Sequence, residues 1–289
     1  MRELTLPPDA TLPSRRLGAP LTRALRNLLP VEVRIAARRA PAVARHYLGR
    51  SPALPRVSRR WQHVQCARSS PLRRPGTLYA ADLQAAKEAN VRRAAELLHG
   101  TVLGPGAEFS WHAQVGPPLR HRGFRAGPEL HEGQLARGVG GGACQVANLV
   151  FWLALHAGLD VIERHRHDLD LFPDSQRSVP FGCGATVFHP NRDLRFANPR
   201  PQAARIHLVV QDGRLRGEIQ LEAPPRHQWR IVETWHRFVL RDGEVWRENR
   251  LDRVRTDRPE EPHLIAVNRA RVAYSVPAAA LTPLSPEER

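Results

Sequence analysis

Cysteine is scarce in this chain of 289 residues, with only Cys66, Cys144 and Cys183. Three thiols cannot build a disulfide framework, and an odd count leaves at least one of them free. Lysine is nearly absent: Lys87 is the only one among 44 basic residues. Arginine in place of lysine, beside abundant Ala and Pro, reads as a bias of genome composition, since replacement alone is a poor marker of thermal adaptation. No run of 18 apolar residues occurs, which excludes a membrane-spanning helix on the sequence. The opening residues Met1-Arg2-Glu3-Leu4-Thr5-Leu6-Pro7-Pro8 lack the apolar core of a secretory signal. The expected location is therefore the cytoplasm, or the periphery of the inner membrane face. What the chain does hold, 42% hydrophobic and 25% charged residues, fits one or two globular domains long enough to bury a core without crosslinks or metals.

The net charge of +16 is unevenly spread. Residues 1–75 carry sixteen Arg against Glu3, Asp9 and Glu32, which puts +13 there and leaves the rest nearly balanced. Such a segment suits anionic partners. Leu21–Leu48 is partly amphipathic, with arginines between Leu21, Leu25, Leu28, Leu29, Val33, Ile35 and Val43, although Pro30 and Pro41 break it. It could lie on an anionic membrane surface; the plainer reading is a solvated arginine-rich face. No helix-turn-helix, zinc-finger or RNA-binding aromatic pattern accompanies the charge, so a specific nucleic-acid partner is not expected.

The remainder reads as α+β: mixed helices and short strands around a Gly-rich loop–Cys–helix core, with antiparallel β hairpins in the C-terminal part. Three stretches are expected, a basic 1–75, a core of 76–200 and a β-rich 201–289. Ala81–His99 has helical spacing at Leu83, Ala86, Asn90, Ala94, Leu97 and Leu98, with Gly100 as its stop. Residues 51–80 read as loop or short extended structure, and Thr101–Gly142 as loop with short strands. A second helix runs from about Ala143 to His156, apolar at Val146, Leu149, Val150, Leu153 and Ala157, closed by Gly158. Period-two alternation predicts strands at 204–210, 213–221, 229–240 and 245–254, joined by the Asp-Gly turns at 212–213 and 242–243. The last fifteen residues are expected to fray.

The chemistry gathers in one window. Gly138-Val139-Gly140-Gly141-Gly142-Ala143-Cys144-Gln145 places a thiol straight after a glycine-rich loop, at the start of the second helix. Helix N-termini carry unpaired N–H groups and partial positive charge, which favour a thiolate. The loop glycines Gly140, Gly141 and Gly142, with Gln145, could aim N–H groups at an oxyanion or hold substrate. Downstream lies Glu163-Arg164-His165-Arg166-His167-Asp168. His165 and His167 point the same way if the segment is extended. Either could serve as base to Cys144, with Asp168 or another acid such as Glu163 orienting it. Asn148, four residues from Cys144, shares its helix face. The bland alternatives are a small buried Cys, surface histidines and a tight turn. A zinc site from Cys144, His165 and His167 with Cys183 or His189 lacks any Cys-x-x-Cys pair, so neither metal nor cofactor is expected.

Further segments surround the window: Pro105-Gly106-Ala107-Glu108-Phe109-Ser110-Trp111, Asn148-Leu149-Val150-Phe151-Trp152, Gly182-Cys183-Gly184-Ala185-Thr186-Val187 and Asp193-Leu194-Arg195-Phe196-Ala197-Asn198. With the Gly-Gly-Gly-x-Cys-Gln and Glu-Arg-His-x-His motifs, they resemble the VanW family from about Cys66 to Asn198. That family is tied to vancomycin B-type resistance. The resemblance implies a cysteine-dependent acyl transferase, L,D-transpeptidase-like, on peptidoglycan stem peptides or their precursors. Cys144 would then be the acyl-enzyme residue, with His165 or His167 its base. Two positions depart from the family pattern: Gly184 stands where an Asp is usual, and Ala147 where a Ser is usual. The rival class is a non-catalytic protein that binds wall precursor in the same cleft, in an accessory role in glycopeptide resistance.

Overall fold

The computed structural model describes residues 61–73, 79–131, 134–171, 173–177 and 179–284. The amphipathic stretch Leu21–Leu48 lies outside them. In chain order the strands are β1 (His63–Pro71), β2 (Val102–Leu103), β3 (Glu108–Ser110), β4 (Ala126–His131), β5 (Gln134–Val139), β6 (Asp160–Glu163) and β7 (Leu169–Asp170). They continue as β8 (Arg195–Ala197), β9 (Ala204–Gln211), β10 (Arg214–Leu221), β11 (Trp229–Arg241), β12 (Glu244–Arg255) and β13 (Arg258–Val272). The α-helices are α1 (Ala81–Leu98), the short α2 (Trp111–Gln114) and α3 (Cys144–His156).

The architecture is α+β and dominated by strands. One four-stranded sheet has the order β1-β10-β9-β2 and a second β11-β12-β13-β7; β3-β8-β6 and β4-β5 complete the set. The first sheet draws β1 from the 1–75 stretch, β2 from 76–200, and β9 and β10 from 201–289. α1 packs on β9, and α3 on β1, β10 and β11. The β9–β10 and β11–β12 hairpins turn at Asp212-Gly213 and Asp242-Gly243, whose φ values of 51° and 66°, and 51° and 76°, are those of the turn that matches strand twist.

β1 occupies part of the 51–80 stretch, where loop or short extended structure was expected, and pairs with β10 across a bulge between Val64 and Cys66 that blurs its alternation. β13, which pairs with β12, opens with Pro259 and Pro262, residues that normally argue against a strand. Its first seven residues are exposed at the sheet edge, where proline is tolerated. Of the last fifteen residues, expected to fray, the described part is tied down at Thr282, whose N–H donates to the Phe238 carbonyl at 2.7 Å.

α3 is apolar nearly all round: Val146, Ala147, Leu149, Val150, Phe151, Leu153, Ala154 and Leu155 are buried. One partly open stripe remains, Cys144, Asn148, Trp152 and His156, each a turn from the next. Gly158 (φ 68°) ends the helix, with Gly158 N–H donating to Leu155 O and Leu159 N–H to Ala154 O, a pattern that needs a left-handed residue.

α1 contributes one polar residue to the interior. Asn90 is fully buried; its Nδ2 donates to the carbonyls of Arg125 (2.9 Å) and Gly141 (2.8 Å), and its Oδ1 accepts from Arg125 N–H at 2.7 Å. One side chain thus ties α1 to the entry of β4 and to the glycine-rich loop. Asn90→Ala removes three hydrogen bonds, and at about 1 kcal/mol each the expected loss is about 3 kcal/mol. Urea unfolding checks it; a loss well below that would mean the loop relaxes freely.

Candidate functional site

The site begins where β5 hands over to α3. Gly140 N–H donates to Arg125 O at 3.0 Å and Gly141 N–H to Gly138 O at 2.9 Å. A β-carbon on Gly141 would lie 2.4 Å from the Gly127 carbonyl oxygen, and one on Gly142 would lie 2.5 Å from Lys87 Cγ. The run of glycines is therefore demanded by close backbone approach as well as by chemistry. With Gly140 and Gly141 committed, the N–H groups of Gly142 and Cys144 donate to no backbone carbonyl among the described residues. Gln145 is aimed away from them, its Nε2 donating to Ser70 Oγ (2.9 Å) and Pro71 O (2.8 Å) on β1.

Cys144 is the first residue of α3 and is half-buried. Its thiol donates to Val187 O at 3.6 Å, and burial raises its pKa, with Glu129 adding to the rise. The helix-start location alone would lower it; burial wins, so the resting group is a thiol. Neither His165 nor His167 shares a hydrogen bond with it.

The two histidines are held by different partners. His165 Nε2 meets Glu163 Oε1 at 2.9 Å, and this bond is the main cause that lowers the Glu163 pKa. His167 Nε2 lies 3.2 Å from Asn148 Oδ1, and its Nδ1 lies 2.9 Å from Thr186 Oγ1. Asn148 Oδ1 also accepts Ala185 N–H at 2.8 Å, which fixes that atom as the oxygen. His167 Nε2 must then carry the proton, and in the neutral ring Nδ1 accepts from the Thr186 hydroxyl. His167 is exposed to solvent at one side. Even so, the protein crowded around it, and next the Arg164 guanidinium, push its pKa down to about 4.

Of the acids expected to orient a histidine, Glu163 holds His165, and the other acids nearby are engaged elsewhere. Asp168 is exposed and pairs with Arg192 at 3.3 Å. Asp170 binds Arg177 and the Tyr274 hydroxyl. Asp193 accepts from Ser110 Oγ (2.6 Å) and from the N–H groups of His112 and Leu194. Beside His167, the residue that orients the ring is Asn148, an amide. Gly184 faces the same ring: a β-carbon there would sit 2.9 Å from Asn148 Oδ1 and 3.1 Å from His167 Cδ2. Among the described residues no group of three His, Cys, Asp or Glu side chains is placed to hold a metal.

Thr186 and Arg164 belong to this neighbourhood and were not singled out from the sequence. Arg164 lies between Glu163 and His165, where alternation along an extended segment sends it to the opposite side. That was the available signal.

A family model for VanW-like proteins matches residues 86–220. The chain is 26% identical over 192 residues to the vancomycin B-type resistance protein VanW of Enterococcus faecalis, covering 65% of this chain and 70% of that one. It is 34% identical over 127 residues to the uncharacterized protein YoaR of Bacillus subtilis, covering 43% of this chain and 39% of YoaR. No solved structure matches it. No described helix is long and apolar enough to cross a membrane. The matched segment includes most of α1, the glycine-rich loop, Cys144 and both histidines, and over these residues the chain is similar to VanW-like proteins.

Proposed function

We propose that the chain transfers acyl groups from cell-wall stem peptides or their precursors, with Cys144 as nucleophile. One observation carries the reading. At the start of α3 a thiol follows a glycine loop in which the N–H groups of Gly142 and Cys144 donate to no backbone carbonyl among the described residues, and one turn on Asn148 holds a neutral imidazole. The proton-free nitrogen of the neutral ring is Nδ1, so the Thr186 hydroxyl must yield for His167 to take the thiol proton. The sulfur, losing its proton to the base, attacks the carbonyl carbon before a terminal D-amino acid. The tetrahedral oxyanion is met by the two N–H groups, and its collapse returns the proton to the departing amine. An acceptor amine then opens the thioester, forming a new amide and restoring the thiol. The arginine-rich N-terminal segment would bring the protein to an anionic membrane face, where precursors reside.

The rival reading, recognition of the wall precursor without covalent chemistry, has its own support in the raised thiol, which at rest donates to Val187 O. Cys144 offers a clean test, because burial pushes Cys66 and Cys183 up to about 12 and leaves them unreactive. In the resting chain, alkylation of Cys144 by iodoacetamide should accelerate only above the free-cysteine midpoint of about 8.5. A synthetic stem peptide ending in a D-amino acid should then add its acyl mass at Cys144 and release that amino acid, and Cys144→Ala should do neither. Peptide that binds wild type and Cys144→Ala alike, with no release at any pH, would leave the binding reading in possession.

A further inference from the structure

The matched family segment ends at residue 220, yet a chain of buried polar contacts runs from the later sheet into the candidate site. Asn249 on β12 and Asn268 on β13 stand directly opposite each other, both essentially inaccessible. Asn249 Nδ2 donates to Phe181 O (2.8 Å) and Glu233 Oε1 (2.6 Å), and Asn268 Nδ2 donates to Asn249 Oδ1 at 2.9 Å. Asn268 Oδ1 in turn accepts from Arg164 NH1 at 2.6 Å. The other arms of that guanidinium donate to Gly182 O (2.5 Å) and Gly184 O (2.8 Å), and its plane lies 5.3 Å from the Phe151 ring on α3. Among the described residues no carboxylate pairs with Arg164. A cation withdrawn from water in this way is costly unless it is hydrogen-bonded, and here two carbonyls and one asparagine accept from all three of its nitrogens. The fit is close: a β-carbon on Gly182 would fall 2.2 Å from Asn268 Nδ2.

Immediately after Gly184, Ala185 N–H donates to Asn148 Oδ1, Thr186 N–H donates to His165 O (2.8 Å), and the Thr186 hydroxyl meets His167. We infer that the C-terminal sheet completes the site. Asn268, backed by Asn249, is a positioning residue that locks Arg164, and Arg164 holds the Gly182–Thr186 segment on which Asn148 and His167 depend. Its bearing on catalysis rests on the acyl-transfer reading; the linkage itself does not. Arg164 also lies close enough to His167 to disfavour its protonation. The other charges acting on that ring are Asp168, which favours the imidazolium, and Arg177 and Arg192, which oppose it.

The test uses the full chain, with amide exchange and NMR titration of His167 in wild type, Asn268→Ala and Arg164→Met. The methionine variant keeps apolar contact with Phe151 while removing the charge. In either folded variant, exchange at Ala185 and Thr186 should quicken by about tenfold or more while α1 amides keep their rates. The His167 midpoint should rise from about 4 by about one unit or more. Wild-type exchange rates and midpoint in a folded variant would overturn the inference. Should neither variant fold, the wild type in sub-denaturing urea decides: Ala185 and Thr186 amides should open together with β12 and β13, and opening independently of that sheet overturns the linkage. No readout requires turnover, so an inactive protein with the expected exchange pattern rejects only the acyl-transfer reading.

Discussion

Gly141→Ala is expected to cost the chain about 3–5 kcal/mol, the sum of an overpacked contact and one or two buried hydrogen bonds. The added carbon would meet backbone, not a side chain able to swing away: Gly127 O at 2.4 Å, Gly127 C at 2.5 Å and Pro128 O at 2.7 Å. Relief requires β4 and the loop to separate. That movement strains the 2.8 Å bond from Asn90 to Gly141 O and the 3.0 Å bond from Gly140 N–H to Arg125 O. It also shifts the start of α3, and with it Cys144. Urea unfolding followed by circular dichroism measures the loss, and iodoacetamide should reach Cys144 faster in the variant. A cost below about 1 kcal/mol, the ordinary size of a point mutation, would show that the glycines serve no packing need.

Gly184→Asp should transform the titration of His167. Position 184 lies outside the left-handed region, so its backbone tolerates a side chain. The new carbon would point at Asn148 Oδ1 (2.9 Å) and at His167 Nε2 (3.3 Å). The Asn148 amide must yield, and the carboxylate takes its place against the ring N–H. An opposite charge in contact raises a histidine pKa by about one to three units, so the midpoint should climb from about 4 toward or past its ordinary value. The stability profile follows by linkage. In wild type the folded pKa lies below the unfolded one, about 6.5, so the unfolded chain binds more protons between those values. Stability contributed by the neutral ring is present above pH 6.5 and lost as the pH falls toward 4. In the variant that acid-side loss should shrink, and it reverses if the folded pKa passes 6.5. NMR titration together with urea midpoints at pH 5 and 7.5 tests both parts. A His167 that still titrates near 4 would mean the carboxylate turns to solvent.

Much of the scaffold could be read from residue spacing. The stripes of α1 and α3 and the Asp-Gly hairpins are local signals, and they lie where the spacing put them. β1 and β13 were harder. One is broken by a bulge, and the other begins with two prolines whose tolerance depends on being at an edge, which only the finished sheet reveals. The site divided in the same way. The glycine loop, Cys144, Asn148 and the histidines stand out as a sequence cluster. Which histidine meets Asn148 depends on Ala185, 37 residues away, and the pairing of Arg164 with Asn268 spans 104 residues. Buried asparagines within strands carry no signature of their own, because a polar residue at an inward position is indistinguishable from a surface one until its partners are known.

The pairing of β1 with β10 bears on how the protein can be divided. Cutting the chain to its matched residues 86–220 would strip β10 of β1, one of its two neighbours, and expose a row of unsatisfied N–H and C=O groups along that edge. Such a fragment would seek another strand, in its own copies if nothing else offers, and insolubility on trimming would report a sheet left open, not a domain unable to fold.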